Sequence, residues 1–360
     1  MNSSMNNVPI SERAAGRWPE IYEALAPDLH PALEEYGKHV ACPVHGGKDG
    51  FRLFDKNERA LFGAAVCNTC GIKENGIVVL SWLYGWSSVE TIRRVSEVLS
   101  GMPPRAGEPI QALLEKAREK KKLDAQRAVI SARKWWSDAL PATSFKARTL
   151  RRYLYERALS WGQVSHRFTD DFRFHPALPY YEGGHEVDRF PALLSLARNA
   201  DNAVVFMHRT WLAKNGHGKA PVSCARKATT FFHPHQGAAI RLGGHVSSGL
   251  HVAEGIETAL SVSLATEDTC WSLVNTTLMA QWVPPKGVNF VTIWADKDAK
   301  GAGQEAAETL ARRLRANELM VSIREPECPI RKNAKSVDWN NVLDEYGPEA
   351  FSGMYFWGTP

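Results

Sequence analysis

The sequence has no apolar run long enough to cross a bilayer, and its opening residues, MNSSMNNVPISER, lack the charged and apolar regions of a secretory signal. Both absences set the expectation of a cytoplasmic chain with no membrane partner. Cysteine is scarce, at six residues in 360. Outside the cell these could pair as disulfides, but in a reducing compartment a clustered set more often binds metal. No internal repeat and no low-complexity segment is present, which excludes a repeat array. Net charge is slight too: 44 Lys or Arg stand against 39 Asp or Glu, giving +5.

What is present has the make-up of an ordinary globular protein, with 44% hydrophobic and 23% charged residues. A chain of this length can bury more than one core, so two or three units are expected. The distribution of charge says more than its sum. Residues 111 to 160 hold 13 Lys or Arg against 5 Asp or Glu, a surplus of 8. That favours a polyanionic partner over a merely solvated basic helix.

Arg17 to Tyr36 reads as one or two short helices, followed by turn-rich residues 42 to 71 and by helical spacing from Ile77 to Leu99. SGMPPRAGEP, residues 100 to 109, is the clearest break, because adjacent prolines and glycines cannot continue a helix. Residues 110 to 136 form a charged helical connector. Residues 150 to 245 mix helix and strand, with a hairpin turning at Asn215 and Gly216. From Leu250 strands and helices alternate: LHVAE, GIETALSVSLAT, CWSLVN, TTLMAQW, NFVTIWAD, GQEAAETLARRLRAN, LMVSIRE. Such alternation predicts a parallel α/β sheet with crossover helices. The expected domains are 1–100, 101–149, 150–248, 249–345 and a tail, 346–360.

Two motifs carry chemistry. Cys42-x-x-His45 and Cys67-x-x-Cys70 supply four soft ligands as two knuckles, each able to bring both side chains to one tetrahedral Zn²⁺. Cys224, Cys270 and Cys328 have no such partners and read as reduced thiols. The second motif is ADKD, in which Asp296 and Asp298 follow a buried strand. Acids one residue apart on an extended backbone point to one side and can hold a hard cation. Taken alone, the pair reads as a solvated turn, because acid pairs after strands are common. Glu254 ends an earlier strand of the same sheet, and Asp338 follows the last one. Three strand ends bearing acids suggest a divalent metal site for phosphate chemistry.

HVAEGIETALS with Glu254, IWADKD with Asp296 and Asp298, and DWNNVL with Asp338 resemble the Toprim domain shared by primases, topoisomerases and some nucleases. The ribbon and MHRTWLAKNGHGKAPVSCARK resemble Toprim primases of phages and plasmids, distant relatives of bacterial replicative DnaG-type primases. Asn341 departs from that pattern, standing where the family often carries aspartate. The resemblance implies a zinc ribbon, a mixed α+β basic subdomain and an α/β Toprim domain. It implies a nucleotidyltransferase making RNA primers on single-stranded DNA from nucleoside triphosphates, with structural Zn²⁺ and catalytic Mg²⁺ or Mn²⁺. Asp296, Asp298 and Glu254 would be metal ligands, with Glu254 alternatively a base, and Asp338 would complete the catalytic acids. Arg209, Lys219, Lys227 and Arg241 are candidates for the triphosphate, although each reads equally as a surface charge. His208 reads as structural. Lys48, Phe51, Arg52 and Phe54 are candidate template contacts, Phe51 alternatively ribbon core. A replicative helicase would act in trans, because around NGHGKAPV residues Ala213 and Ala220 stand where a phosphate loop needs Gly and Ser or Thr. The alternatives are a Toprim nuclease and a non-catalytic zinc and Toprim recombination mediator that binds DNA.

Overall fold

The computed structural model describes residues 9–103, 110–182, 184–229, 232, 237–299, 301–332 and 334–352. In the helix Ile110–Asp138 the side chains at 110, 111, 113, 114, 117, 118, 120 and 121 lie outside that description, as do residues 104–109 of the expected break and 353–360 of the tail. The chain divides into two compact units, with the boundary between Gln126 and Arg127. No described helix is long and apolar enough to cross a membrane.

In the first unit, helices Ile10–Ala14, Trp18–Leu25 and His30–Glu34 precede a four-stranded antiparallel ribbon. Its strands are β1 (Val40–Cys42), β2 (Gly46–Leu53), β3 (Ala65–Cys67) and β4 (Gly71–Lys73), in that spatial order. Helices Gly76–Tyr84 and Ser88–Gly101 follow, each opened by a side-chain cap, from Asn75 and Ser87. Trp18, Ile21, Tyr22, Phe51, Leu53, Leu80 and Val95 form the core. Phe51 is fully buried, stacked with its ring centroid 6.0 Å from that of Trp82, and is therefore ribbon core.

The second unit is built on a ten-stranded sheet. The helix Ile110–Asp138 runs to its start, two residues beyond the expected connector. Then come β5 (Leu140–Pro141), β6 (Phe172–Glu182), β7 (His185–Arg198), β8 (Val204–Trp211), β9 (Arg226–Ala228) and β10 (Ala239–Ile240). Between β8 and β9, Leu212 bridges Lys219 across the turn at Asn215 and Gly216, the expected hairpin position. The remaining strands of this unit are β11 (Gly249–Ala253), β12 (Cys270–Ser272), β13 (Phe290–Trp294), β14 (Lys297–Asp298), β15 (Met320–Arg324) and β16 (Ser336–Val337).

β15, β13, β11 and β12 lie side by side and run parallel. The side chains of β11, β12 and β13 are largely buried on both faces, as parallel sheets require, whereas β15 at the edge of the sheet is partly exposed. Leu250, Val252, Val291 and Ile293 face a core shared with the helix Ala302–Arg315, whereas Ala253 and Trp294 face one shared with the helices Ile256–Thr266 and Trp339–Tyr346. β10 pairs antiparallel with both β12 and β7, so the parallel strands and the antiparallel meander form one continuous sheet. β14 and β16 form a separate two-stranded ribbon in which Asp298 pairs with Ser336. The alternating α/β domain behind a zinc-type ribbon and a mixed subdomain is the architecture expected from the sequence.

Candidate active site and metal centre

The two knuckles are matching hairpin turns. Cys42 pairs with Gly46 and Cys67 with Gly71, so each ligand pair brackets a two-residue tip. Gly46 and Gly71 have φ of 71° and 75°, which turns the strand back immediately after the last ligand without a Cβ penalty. The pairing of β2 with β3, Phe51 opposite Cys67, places the two turns together. The ligand atoms of Cys42, His45, Cys67 and Cys70 then lie within 4.8 Å of one another, as spacings around one tetrahedral ion require at bonds of about 2.0–2.3 Å.

The cluster's electrostatics fit a cation. Burial acts to raise the Cys67 thiol, but hydrogen bonds from the Cys70 and Thr69 backbone and from His45, whose Nε2 lies 3.1 Å from Sγ, outweigh it and bring Cys67 to about 6. Burial and the neighbouring Cys67 and Cys42 sulfurs push Cys70 up to about 11. A thiolate thus sits among sulfurs that cannot all ionise unless positive charge joins them.

The acids meet in the second unit. Glu254, Asp296, Asp298 and Asp338 line one cavity of about 370 Å³. β11 and β13 deliver Glu254 and Asp296 from neighbouring strand ends, and the β14–β16 ribbon, with Lys297 opposite Val337, folds Asp338 back beside Asp296. Lys297, between the two aspartates, reaches away and donates to the Pro326 and Cys328 carbonyls, so the alternation on the extended backbone holds. Among the described residues no three of these carboxylates gather as closely as Cys42, His45, Cys67 and Cys70 do.

Each acid has a distinct setting. Asp298 accepts hydrogen bonds from the backbone N–H of Ala302 and Gly303 at 3.3 and 2.8 Å, at the start of the helix Ala302–Arg315. Gly303 is needed there, since a Cβ would fall 2.8 Å from the Asp296 carbonyl oxygen. Asp338 is the N-cap of Trp339–Tyr346, and Asn341 closes the capping box by accepting from the Asp338 N–H. The asparagine that departs from the family pattern therefore has a local task. Asn340, 2% exposed, donates to the Arg157 carbonyl at 2.7 Å and to Ser261 Oγ at 3.0 Å. It ties the Asp338 helix to the helix that follows Glu254.

Asp296 is different. Its Oδ1 is shielded from solvent and has no hydrogen-bond partner. Burial first, then the charges of Asp338 and Glu254, push its pKa up to about 8. Burial also raises Glu254, helped by Asp298 and opposed by Arg226. An orphaned carboxylate oxygen among acids is a fit for a hard divalent cation. A pH dependence follows. A carboxyl raised from 3.8 to about 8 in the fold contributes stability that is full below about pH 4 and lost as pH rises through 8. In chelator, the melting temperatures of wild type and Asp296→Asn should be close at pH 4, with the wild type falling progressively below the variant up to pH 8. Mg²⁺ should narrow that gap at pH 8. A gap independent of pH and of Mg²⁺ would contradict this electrostatic account.

Of the basic candidates, Lys219 lines the cavity. The other three are seated elsewhere. Arg209 lies between Trp135 and Trp211, 5.0 Å from each ring, with burial lowering its guanidinium to about 10. Lys227 donates to the Tyr181 carbonyl and sits 4.0 Å over Tyr180. Arg241 donates to Asn202 and Asn199 and covers Trp271. His208 is buried, and burial brings it down to about 4, as suits a structural histidine. On the ribbon, Arg52 and Arg59 stack over Phe54 at 4.7 and 5.1 Å. Three charged cavity residues had not been singled out from the sequence: Arg157, Arg226 and Glu257. Glu257 had a local signal, since three residues after Glu254 it lies in the first turn of the helix that follows.

Three family models match the chain. A zinc-binding domain of primase-helicase matches residues 37–77, a domain of unknown function (DUF7146) matches 126–242, and a Toprim domain matches 249–349. The chain carries a primase-type zinc ribbon and a Toprim domain. The chain is similar to the primase fragment of the bacteriophage T7 primase-helicase at 14% identity, covering 89% of this chain and 99% of that one, with a TM-score of 0.35. It is similar to the zinc-binding and RNA polymerase domains of the Aquifex aeolicus primase at 14% identity, 93% and 84% coverage and a TM-score of 0.33. The Escherichia coli primase catalytic core matches at 14% identity, 64% and 78% coverage and 0.40. At such scores these likenesses assign no residue.

Proposed function

We propose that the chain is a DNA primase that synthesises short RNA primers on single-stranded DNA, in replication of the phage or plasmid type, with a replicative helicase acting in trans. The observation that carries this is the single cavity in which Glu254, Asp296, Asp298 and Asp338 face Arg157, Lys219 and Arg226. Acids alone would suit many metal sites. Acids opposed by three cations in one cavity suit a polyphosphate that arrives with its own cation.

Asp296, Asp298 and Glu254 would hold Mg²⁺ or Mn²⁺, which when bound would neutralise phosphate charge and lower the pKa of the attacking 3′-hydroxyl. Asp338 keeps the local field negative beside Asp296. Glu254, its pKa raised, is either a ligand or the group that accepts the hydroxyl proton. Arg157, Lys219 and Arg226 would take the triphosphate and the departing pyrophosphate. The ribbon, through Lys48, Arg52 and Phe54, would contact template phosphates and bases.

Labelled nucleoside triphosphates, Mg²⁺ or Mn²⁺ and single-stranded templates of random sequence should yield short products, resolved on a denaturing gel and dependent on template. Shortening of the template without new product would mark a nuclease. Binding with neither outcome would mark a mediator.

A further inference from the structure

Glu257 lines the cavity of acids but stands apart from them in its bonding. It is the second residue of the helix Ile256–Thr266 and 9% exposed. The Tyr153 hydroxyl donates to its Oε1, and Lys219 Nζ lies 3.0 Å from the same oxygen. Burial alone would raise this carboxyl, but the Lys219 ammonium and the Tyr153 hydrogen bond outweigh it and hold the group at about 2. The cavity therefore contains two kinds of carboxylate. Asp296 has an oxygen without a partner, whereas Glu257 has a hydroxyl and an ammonium on one oxygen.

Lys219 arrives from a different part of the fold, at the end of the turn where it bridges Leu212. An ammonium has three donors and one is directed at Glu257. The side chain remains 25% exposed at the cavity wall. Left unheld, a flexible four-carbon stem would lose rotamer freedom on gripping a phosphate, and its charge would be drawn onto Asp296 and Glu254, in competition with a cation.

We propose that Glu257 and Tyr153 form a seat that positions Lys219 for the polyphosphate of an incoming nucleotide, and that Glu257 is a positioning residue and not a further metal ligand. This rests on the nucleotidyl-transfer reading above. A fixed Lys219 keeps the phosphate side of the cavity positive and leaves the orphaned Asp296 oxygen to the metal.

The test uses the full chain and inorganic triphosphate with Mg²⁺ in calorimetry, alongside KM, kcat and the Mg²⁺ dependence of synthesis. Glu257→Gln should weaken triphosphate binding and raise the nucleotide KM by about five- to tenfold, with the Mg²⁺ concentration for half-maximal rate unchanged. Lys219→Ala should do the same, and combining the two should add little. Tyr153→Phe keeps every charge and should give a smaller shift in the same direction, which covers the case in which Glu257→Gln does not fold. A folded Glu257→Gln that binds triphosphate as the wild type does would overturn the proposal. So would a shift in Mg²⁺ dependence with triphosphate affinity intact, which would make Glu257 a ligand. Triphosphate binding weakened by Glu257→Gln in a chain that makes no primer would support the seat and refute primer synthesis.

Discussion

Asp296→Asn is expected to reduce primer synthesis by at least about a hundredfold while template affinity stays near the wild-type value. Asparagine keeps the shape of the side chain, so the strand-end turn should persist. It removes the charge that a cation needs, and with it the cost of burying that charge and the repulsion from Asp338 and Glu254, which together push the aspartate to about 8. The variant should therefore be less active but no less stable. Glu254→Gln should share the loss of synthesis, because β11 and β13 are paired neighbours whose ends open into the same cavity. Asp298→Asn separates the two roles of that residue. It weakens the bonds to Ala302 and Gly303 as well as the metal site, so stability should fall with activity. Timed synthesis on a denaturing gel and fluorescence anisotropy with labelled single strands make the comparison. Wild-type rates in both Asp296→Asn and Glu254→Gln would return ADKD to a solvated turn.

Cys67→Ser is expected to abolish zinc binding, from one ion per chain to none by atomic emission. Serine supplies neither the thiolate nor the length of the Cys67 bond, and the remaining three ligands span two hairpins that the metal holds together. Structural zinc contributes on the order of 10 kcal/mol to folding such a ribbon. Its loss should therefore melt β1 to β4 even though Phe51 and Leu53 still supply apolar burial. The described residues from Arg127 onward form a compact unit of their own, and its thermal transition should not move. Full zinc occupancy in the variant would remove His45 and the three cysteines from consideration as one site.

Both chemical motifs were legible because their residues are close in sequence and each spacing has a local meaning. The alternation after Leu250 was legible for the same reason, since parallel strands buried on both faces write continuous apolar runs. What could not be read was long-range. Nothing near Arg157 says that it faces Asp296, because the tie runs through Asn340, 183 residues away. Arg209, Lys227 and Arg241 belong to the same basic stretch as Lys219, but strand alternation and the positions of Trp135, Tyr180 and Trp271 decide where each cation settles. The β14–β16 ribbon is only two residues wide, too short for a periodic pattern, although it brings Asp338 to the site.

The sheet that joins β12 to β10 also bears on how such chains can be recombined. One matched region ends at residue 242 and the next begins at 249, which suggests separable cassettes. The hydrogen-bond ladder ignores that seam, since β10 lies within the earlier region and pairs Ile240 with Ser272 of the later one. A Toprim domain moved to a new N-terminal neighbour keeps its parallel strands but leaves β12 with a raw edge. Grafts that carry β10 along, or that provide another strand in its antiparallel register, preserve the lattice of backbone bonds; cuts at the seam do not.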